Sequence, residues 1–157
     1  MKKKLIQIEY LEVSSLEKLD ATEQRLVNKA KSAARKAYAP YSGFHVGASL
    51  LLENGDIFIG SNQENAALPS GICAERTALF SAASVYPDVP VKTIAITAWN
   101  GGKFISLPIS PCGACRQVLL QTQARYGNNI RIILYAEEKS YILDSATDLL
   151  PLPFDKF

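Results

Sequence analysis

The chain has 157 residues, enough for one domain that buries well over half of its unfolded surface without a disulfide staple. Its apolar fraction of 48% and charged fraction of 20% are those of a globular domain and exclude disordered or collagen-like chains. A net charge of +2 without a basic stripe argues against a dedicated nucleic-acid binder.

In chain order, Lys2, Lys3 and Lys4 read as a solvated start. Leu5 to Val13 lacks the apolar core and cleavage site of a signal peptide, and no apolar run is long enough to span a bilayer. A cytoplasmic location without membrane attachment is therefore expected. Residues 1–20 form an extension to which the sequence assigns no element. Thr22 to Tyr38 places Leu26, Ala30, Ala33, Ala34 and Ala37 at helical spacing, with Asp20 or Thr22 as N-cap and Pro40 ending the run. Val46 to Glu53 and Asp56 to Gly60 flank Asn54-Gly55, which predicts a β-hairpin closed by a type I′ turn. Cys73 to Ser84 reads as a helix and Thr93 to Ala98 as a buried strand. The loop 99–109 follows, and the sequence gives it no role. Cys112 to Tyr126 reads as a helix stopped by Gly127, and Ile130 to Tyr135 as a second apolar strand. Tyr141 to Leu143 adds a short strand and Ala146 to Leu150 a helical turn. This order predicts a single α/β domain over residues 1–157, a three-layer α/β/α sandwich with a mixed central sheet of about five strands.

Three cysteines in a chain read as cytoplasmic point to metal or catalytic duty before disulfides. Cys112 and Cys115 form a Cys-x-x-Cys at a helix start, where two sulfurs can aim at one point and the helix dipole favours thiolates. Cys73, at the start of the preceding helix, supplies a third. Three thiolates suit zinc and leave its fourth position free for water, the mark of a catalytic site. Closing the site would need a fourth ligand, and the one histidine, His45, is the remaining soft candidate; a lone histidine is more often a packing or surface residue. A thioredoxin-like redox role would leave Cys73 and Glu75 without a purpose. Glu75 can take a proton from water at the open position and hand it on, although a first-turn glutamate also simply favours the helix dipole. Three thiolates and Zn²⁺ sum to −1, and Arg76 can offset that charge.

These residues resemble the zinc deaminases, whose sites combine a Cys₃ or His/Cys/Cys set with a glutamate that does not ligate. More narrowly, the chain from about Thr22 onward resembles the small homotetrameric cytidine deaminases of pyrimidine salvage. The resemblance is carried by Tyr38-Ala39-Pro40-Tyr41-Ser42-Gly43-Phe44-His45-Val46-Gly47-Ala48 and by Asn62-Gln63-Glu64-Asn65-Ala66. It continues through Cys73-Ala74-Glu75-Arg76-Thr77-Ala78, Pro111-Cys112-Gly113-Ala114-Cys115-Arg116-Gln117 and Leu149-Leu150-Pro151-Leu152-Pro153-Phe154. The resemblance implies hydrolytic deamination of cytidine and deoxycytidine to uridine and deoxyuridine with loss of ammonia. Water on one Zn²⁺ per subunit would attack carbon 4 of the base while Glu75 shuttles protons. By the same resemblance Asn62 and Glu64 bind the ribose hydroxyls, Phe44 packs on the nucleoside, and the backbone around Ala74 reads the pyrimidine edge. Phe154 reaches a base in a neighbouring subunit of a homotetramer whose active sites are completed across subunits. From residue type alone, Phe44 and Phe154 are equally ordinary core aromatics. Leu68 departs from the family, many of whose members carry a tyrosine there.

Three other readings share parts of this pattern. A blasticidin-type aminonucleoside deaminase uses the same zinc motifs, and Arg76 with the Leu-Leu-Pro-x-x-Phe tail favours the plain cytidine enzyme. A polynucleotide deaminase is disfavoured by the near-neutral charge and short chain. A non-catalytic structural zinc module requires a closed metal site.

Overall fold

The computed structural model describes residues 1–155, in which three helices cover the two faces of one mixed sheet. The sheet has seven strands: β1 (Leu11–Val13), β2 (His45–Leu52), β3 (Ile57–Ser61), β4 (Val91–Asn100), β5 (Lys103–Phe104), β6 (Arg131–Tyr135) and β7 (Ser140–Leu143). The main path runs β1-β7-β6-β4-β2-β3, and β5 folds back on the end of β4. Only β4 and β6 are parallel neighbours, joined by a crossover through a helix. The three-layer class is as expected, whereas the sheet is larger than the predicted five strands.

The two additional strands lie where the sequence assigned nothing. β1, in the N-terminal extension, pairs antiparallel with β7, Leu11 opposite Ile142, and is reinforced by the Tyr10–Tyr141 ring pair and the Lys139–Glu12 ion pair. β5 gives the 99–109 loop a structural role. Phe104 packs edge-on against Trp99, and Lys31 and Arg35 of the first helix stack over these rings.

The central strands bury both faces, which is why they read as continuous apolar runs. Through the centre of β4 and along β6 the side chains alternate between the two faces. Ile94, Ile96, Ile132 and Leu134 join one core cluster, while Ala95, Ile133 and Tyr135 join the other. Helix α1 (Ala21–Ala34) covers the second cluster with Leu26, Val27 and Ala30. Helices α2 (Ala74–Val85) and α3 (Gly113–Tyr126) lie over the first, with Ala78, Leu79, Ala82 and Leu119.

Asp20 is the N-cap of α1, in a reciprocal capping box with Glu23. The helix ends at Ala34, before Pro40 could stop it. At the hairpin the type I′ expectation fails. The Gly55 N–H donates to the Leu52 carbonyl, so Glu53 and Asn54 form the corner, and Gly55 carries the positive φ while Asn54 does not. Type I′ needs positive φ at both central residues.

Two glycines set how closely the helices approach the sheet. A Cβ on Gly47 of β2 would stand 2.0 Å from the Ala30 carbonyl oxygen of α1. One on Gly60 of β3 would stand 2.3 Å from the Ala74 carbonyl oxygen and 2.6 Å from the Ala78 nitrogen, both in α2. Helix backbone cannot yield as a side chain does, so Gly60→Ala must push α2 off the sheet. Overpacking of this kind costs about 1–3 kcal/mol. Chemical denaturation of Gly60→Ala is expected to show at least that loss, and an unchanged midpoint would contradict the close packing described.

Candidate metal centre

Helices α2 and α3 both begin with cysteine at the N-cap. Cys73 and Cys112 hold extended backbone angles (φ/ψ −77°/155° and −65°/164°), and neither side chain caps its own helix. A serine or aspartate here would fold back onto the first-turn N–H groups; these sulfurs turn to each other. Cys115, one turn into α3, is fully buried beneath them.

The three Sγ atoms lie within 4.8 Å of one another, with Cys73 and Cys112 at 3.7 Å. Sulfurs bound tetrahedrally to zinc at about 2.3 Å stand about 3.8 Å apart, so the spacing fits that ion. Among the described residues no histidine, aspartate or glutamate joins this cluster. His45 instead opens β2, with Nδ1 2.9 Å from the Gly43 carbonyl oxygen. Cys112 is exposed and Cys73 partly so, which leaves the cluster open on one side.

Charge at the cluster is organised before any metal arrives. The Cys73 thiol is pulled down to about 5, chiefly by a hydrogen bond from Cys115, with Arg76 and Cys112 adding and burial opposing. Cys115 moves in the opposite direction because it donates to Cys73, lies buried and faces the negative field of Glu75. Arg76 Nη2 sits 3.8 Å from Cys73 Sγ, and its Nε is buried without a hydrogen-bond partner. The guanidinium thus faces the sulfurs and offsets negative charge there. Glu75 is only 4% exposed, and burial is the main cause that raises its carboxyl above the usual range.

Local pairing binds the neighbouring segments to this centre. Gln63 exchanges backbone hydrogen bonds with Ile72, the residue before Cys73, while on the other side the Tyr38 N–H donates to the Asn62 carbonyl and the Tyr38 carbonyl accepts from the Glu64 N–H. The Thr77 hydroxyl donates to the carbonyls of Cys73 and Ser61, tying the start of α2 to the end of β3. These contacts put Asn62 and Glu64 on the same cleft as Cys73. A cleft of about 520 Å³ runs from Ser42 and Glu64 past Asn62 to Cys73 and Arg76. Leu68 stands on its rim, 78% exposed.

Asn62 and Glu64 also hold the cleft wall. Asn62 Oδ1 accepts from the Val46 N–H at 2.7 Å, and Nδ2 donates to the Phe44 carbonyl at 2.9 Å. Each amide group keeps one unused site for a ligand. Glu64 accepts from the N–H groups of Tyr41 and Ser42 and from the Ser42 hydroxyl. Phe44 is half-buried beside them and does not line the cleft. The N–H of Ala74 belongs to the first turn of α2, where no helix carbonyl precedes it.

Phe154 is not among the residues that line the cleft. Its carbonyl accepts from Gln117 Nε2 at 2.8 Å, and the residue is 67% exposed. Sequence reading missed the residues that anchor this region. Arg116 donates from Nε to the Pro111 carbonyl and from Nη1 to that of Leu149, joining the segment before Cys112 to the C-terminal turn. Arg116, Gln117, Ser42 and Thr77 all stand inside the motifs singled out above, but their bonds to Leu149, Phe154, Glu64 and Ser61 span 16 to 37 positions, too far for spacing to reveal.

The family whose model matches the chain is described as the cytidine and deoxycytidylate deaminase zinc-binding region, over residues 20–127. A cytidine deaminase of Sporosarcina psychrophila is 46% identical over 98 residues, covering 62% of this chain and 68% of the relative. One from Halalkalibacterium halodurans is 44% identical over 98 residues, covering 62% and 70%. Among solved structures, cytidine deaminase from Burkholderia pseudomallei has a TM-score of 0.70 at 41% identity, covering 83% of this chain and 97% of that one. The Mycobacterium tuberculosis enzyme has a TM-score of 0.67 at 29% identity, covering 87% and 100%.

If the three sulfurs form one centre, the purified protein carries stoichiometric zinc, and Cys73→Ser, Cys112→Ser and Cys115→Ser each lose most of it by elemental analysis. Full zinc retention in any of the three would remove that cysteine from the ligand set.

Proposed function

Because the chain belongs to the family of zinc-dependent cytidine and deoxycytidylate deaminases, we propose that its cleft hydrolyses cytidine and deoxycytidine to uridine and deoxyuridine. In this reading Cys73, Cys112 and Cys115 hold the metal and Glu75 is the catalytic residue. The observation that carries it is the pairing of an open three-sulfur cluster with a buried carboxylate two residues from Cys73.

Zinc bound there supplies Lewis acidity, lowering the pKa of a water toward neutrality. Glu75, held nearly dry, takes a proton from the attacking water and delivers it to ring nitrogen 3, which makes carbon 4 more electrophilic. The water oxygen bonds to carbon 4, giving a tetrahedral centre. Glu75 then moves the second water proton to the amino nitrogen. The carbon–nitrogen bond breaks with its electron pair on nitrogen, ammonia leaves, and the carbon 4 carbonyl of uridine remains. Arg76 counters the charge of the sulfurs through the cycle.

On the substrate side, the unused donor and acceptor of Asn62 and the remaining lone pair of Glu64 suit sugar hydroxyls. Phe44 buttresses the nucleoside through the wall it shares with Asn62, and the Ala74 N–H faces the pyrimidine edge. The exposure of Phe154, which does not line its own cleft, supports a contact with a neighbouring subunit's site, in a homotetramer. Among the described residues no helix is long and apolar enough to cross a membrane; the cytoplasmic location is part of the proposal. Residues 1–157 are read as one domain, with both core clusters sharing a single sheet.

Glu75→Gln keeps the shape of the side chain and removes the proton carrier. It is expected to retain zinc and lower kcat for cytidine by about 10²–10⁴-fold; turnover near the unsubstituted rate would refute the assigned role. An ultraviolet assay with cytidine, deoxycytidine and blasticidin S separates the substrate classes. Activity on both pyrimidine nucleosides that a zinc chelator abolishes is the expected result, and activity confined to blasticidin S would overturn the assignment.

A further inference from the structure

Ser42 sits at the mouth of the cleft, between two groups that the proposed function assigns to substrate. Its hydroxyl donates to Glu64 Oε1 and accepts from the Phe44 N–H at 3.0 Å. Its own N–H, with that of Tyr41, donates to Glu64 Oε2 at 3.2 and 2.8 Å. One short side chain therefore fixes the rotation of the carboxylate and the backbone that carries Phe44.

A carboxylate offers about four lone-pair sites. Here Oε2 receives two N–H groups and Oε1 receives the serine hydroxyl, so one site remains, on Oε1. We propose that Ser42 is a positioning residue that directs this last lone pair of Glu64 toward a sugar hydroxyl of the nucleoside, an inference that rests on the proposed function.

The physical case concerns orientation more than attraction. A partly exposed glutamate samples several rotamers, and a bond to substrate must repay the ordering of that side chain. The three donors fix the carboxylate beforehand and also hold it ionised, since the Ser42 hydroxyl is the main cause that keeps Glu64 below the usual carboxylate range. An ionised carboxylate accepts and does not donate, so the ligand group it takes is a hydrogen-bond donor, which the sugar supplies as a hydroxyl. Cytidine and deoxycytidine differ only at the 2′ position. A carboxylate serving both must therefore read a hydroxyl that both possess.

The role divides kinetic constants in a characteristic way. Ser42 touches neither the cysteines nor Glu75, so its loss is expected to weaken binding and leave the proton steps alone. Ser42→Ala should raise KM for cytidine about tenfold, as for one charge-assisted hydrogen bond, with kcat changed less than about twofold. Deoxycytidine should show the same rise. Ser42→Thr, which keeps the hydroxyl at an exposed position, should restore most of the affinity. In a Glu64→Gln background, Ser42→Ala should add little, because the group through which it acts has been replaced.

The experiment is this double-mutant cycle, with KM and kcat for both nucleosides and zinc content measured for each variant. Non-additive KM effects with zinc and kcat retained support the proposal. Additive effects, or a loss concentrated in kcat or zinc, overturn it and leave Ser42 as a loop-folding residue. Absence of cytidine turnover by the unsubstituted protein would instead overturn the proposed function and this inference with it.

Discussion

Three sulfurs held within 4.8 Å of one another concentrate more negative charge than a half-buried protein surface tolerates unaided. The fold answers by placing two of them at helix N-termini and Arg76 beside Cys73, so positive potential meets the cluster from several directions. The same surroundings draw the Cys73 thiol down and push that of Cys115 up. A divalent ion displaces the remaining protons, so its binding is linked to pH and to the stability of the two helix starts.

The rest of the structure keeps those helix starts in register. Gly60 lets α2 rest directly on β3, Thr77 ties its first turn to Ser61, and the parallel pair β4 and β6 requires the crossover that delivers α3. Glu75 is carried into a dry position by the same packing, two residues from a sulfur ligand it does not itself resemble. The segment from Asn62 to Glu64 is threaded between Tyr38 and Ile72. The three sulfurs, the buried Glu75 and the Asn62–Glu64 segment are thus held by one set of backbone and side-chain contacts, the arrangement that the proposed catalysis would need.

Much of this was readable from sequence where chemistry resides in residue identity at short spacing. Cys112, Cys115, Cys73 and Glu75 announced themselves because few structural roles demand those types together. The two-sided burial of β4 and β6 was equally open to reading, because both stand in the sequence as continuous apolar runs. Other features depend on tertiary partners. β1 exists because β7 offers an edge, and β5 because Phe104 finds Trp99 and Arg35. The hairpin corner shifted by one residue because Gly55 takes the positive φ that the Asn54-Gly55 signal assigned to both positions. The structural duty of Asn62 and Glu64 in the cleft wall follows from bonds to residues 16 to 23 positions away. No local pattern encodes those.

Among the described residues no fourth ligand joins the three sulfurs, and His45 is engaged with Gly43 outside the cluster, whereas a structural zinc site would need one. X-ray absorption at the zinc edge of the purified protein reads that directly. Three sulfurs at about 2.3 Å and one oxygen at about 2.0 Å are the expected shell. A shell of four protein ligands, whether sulfur or imidazole nitrogen, would contradict the catalytic assignment.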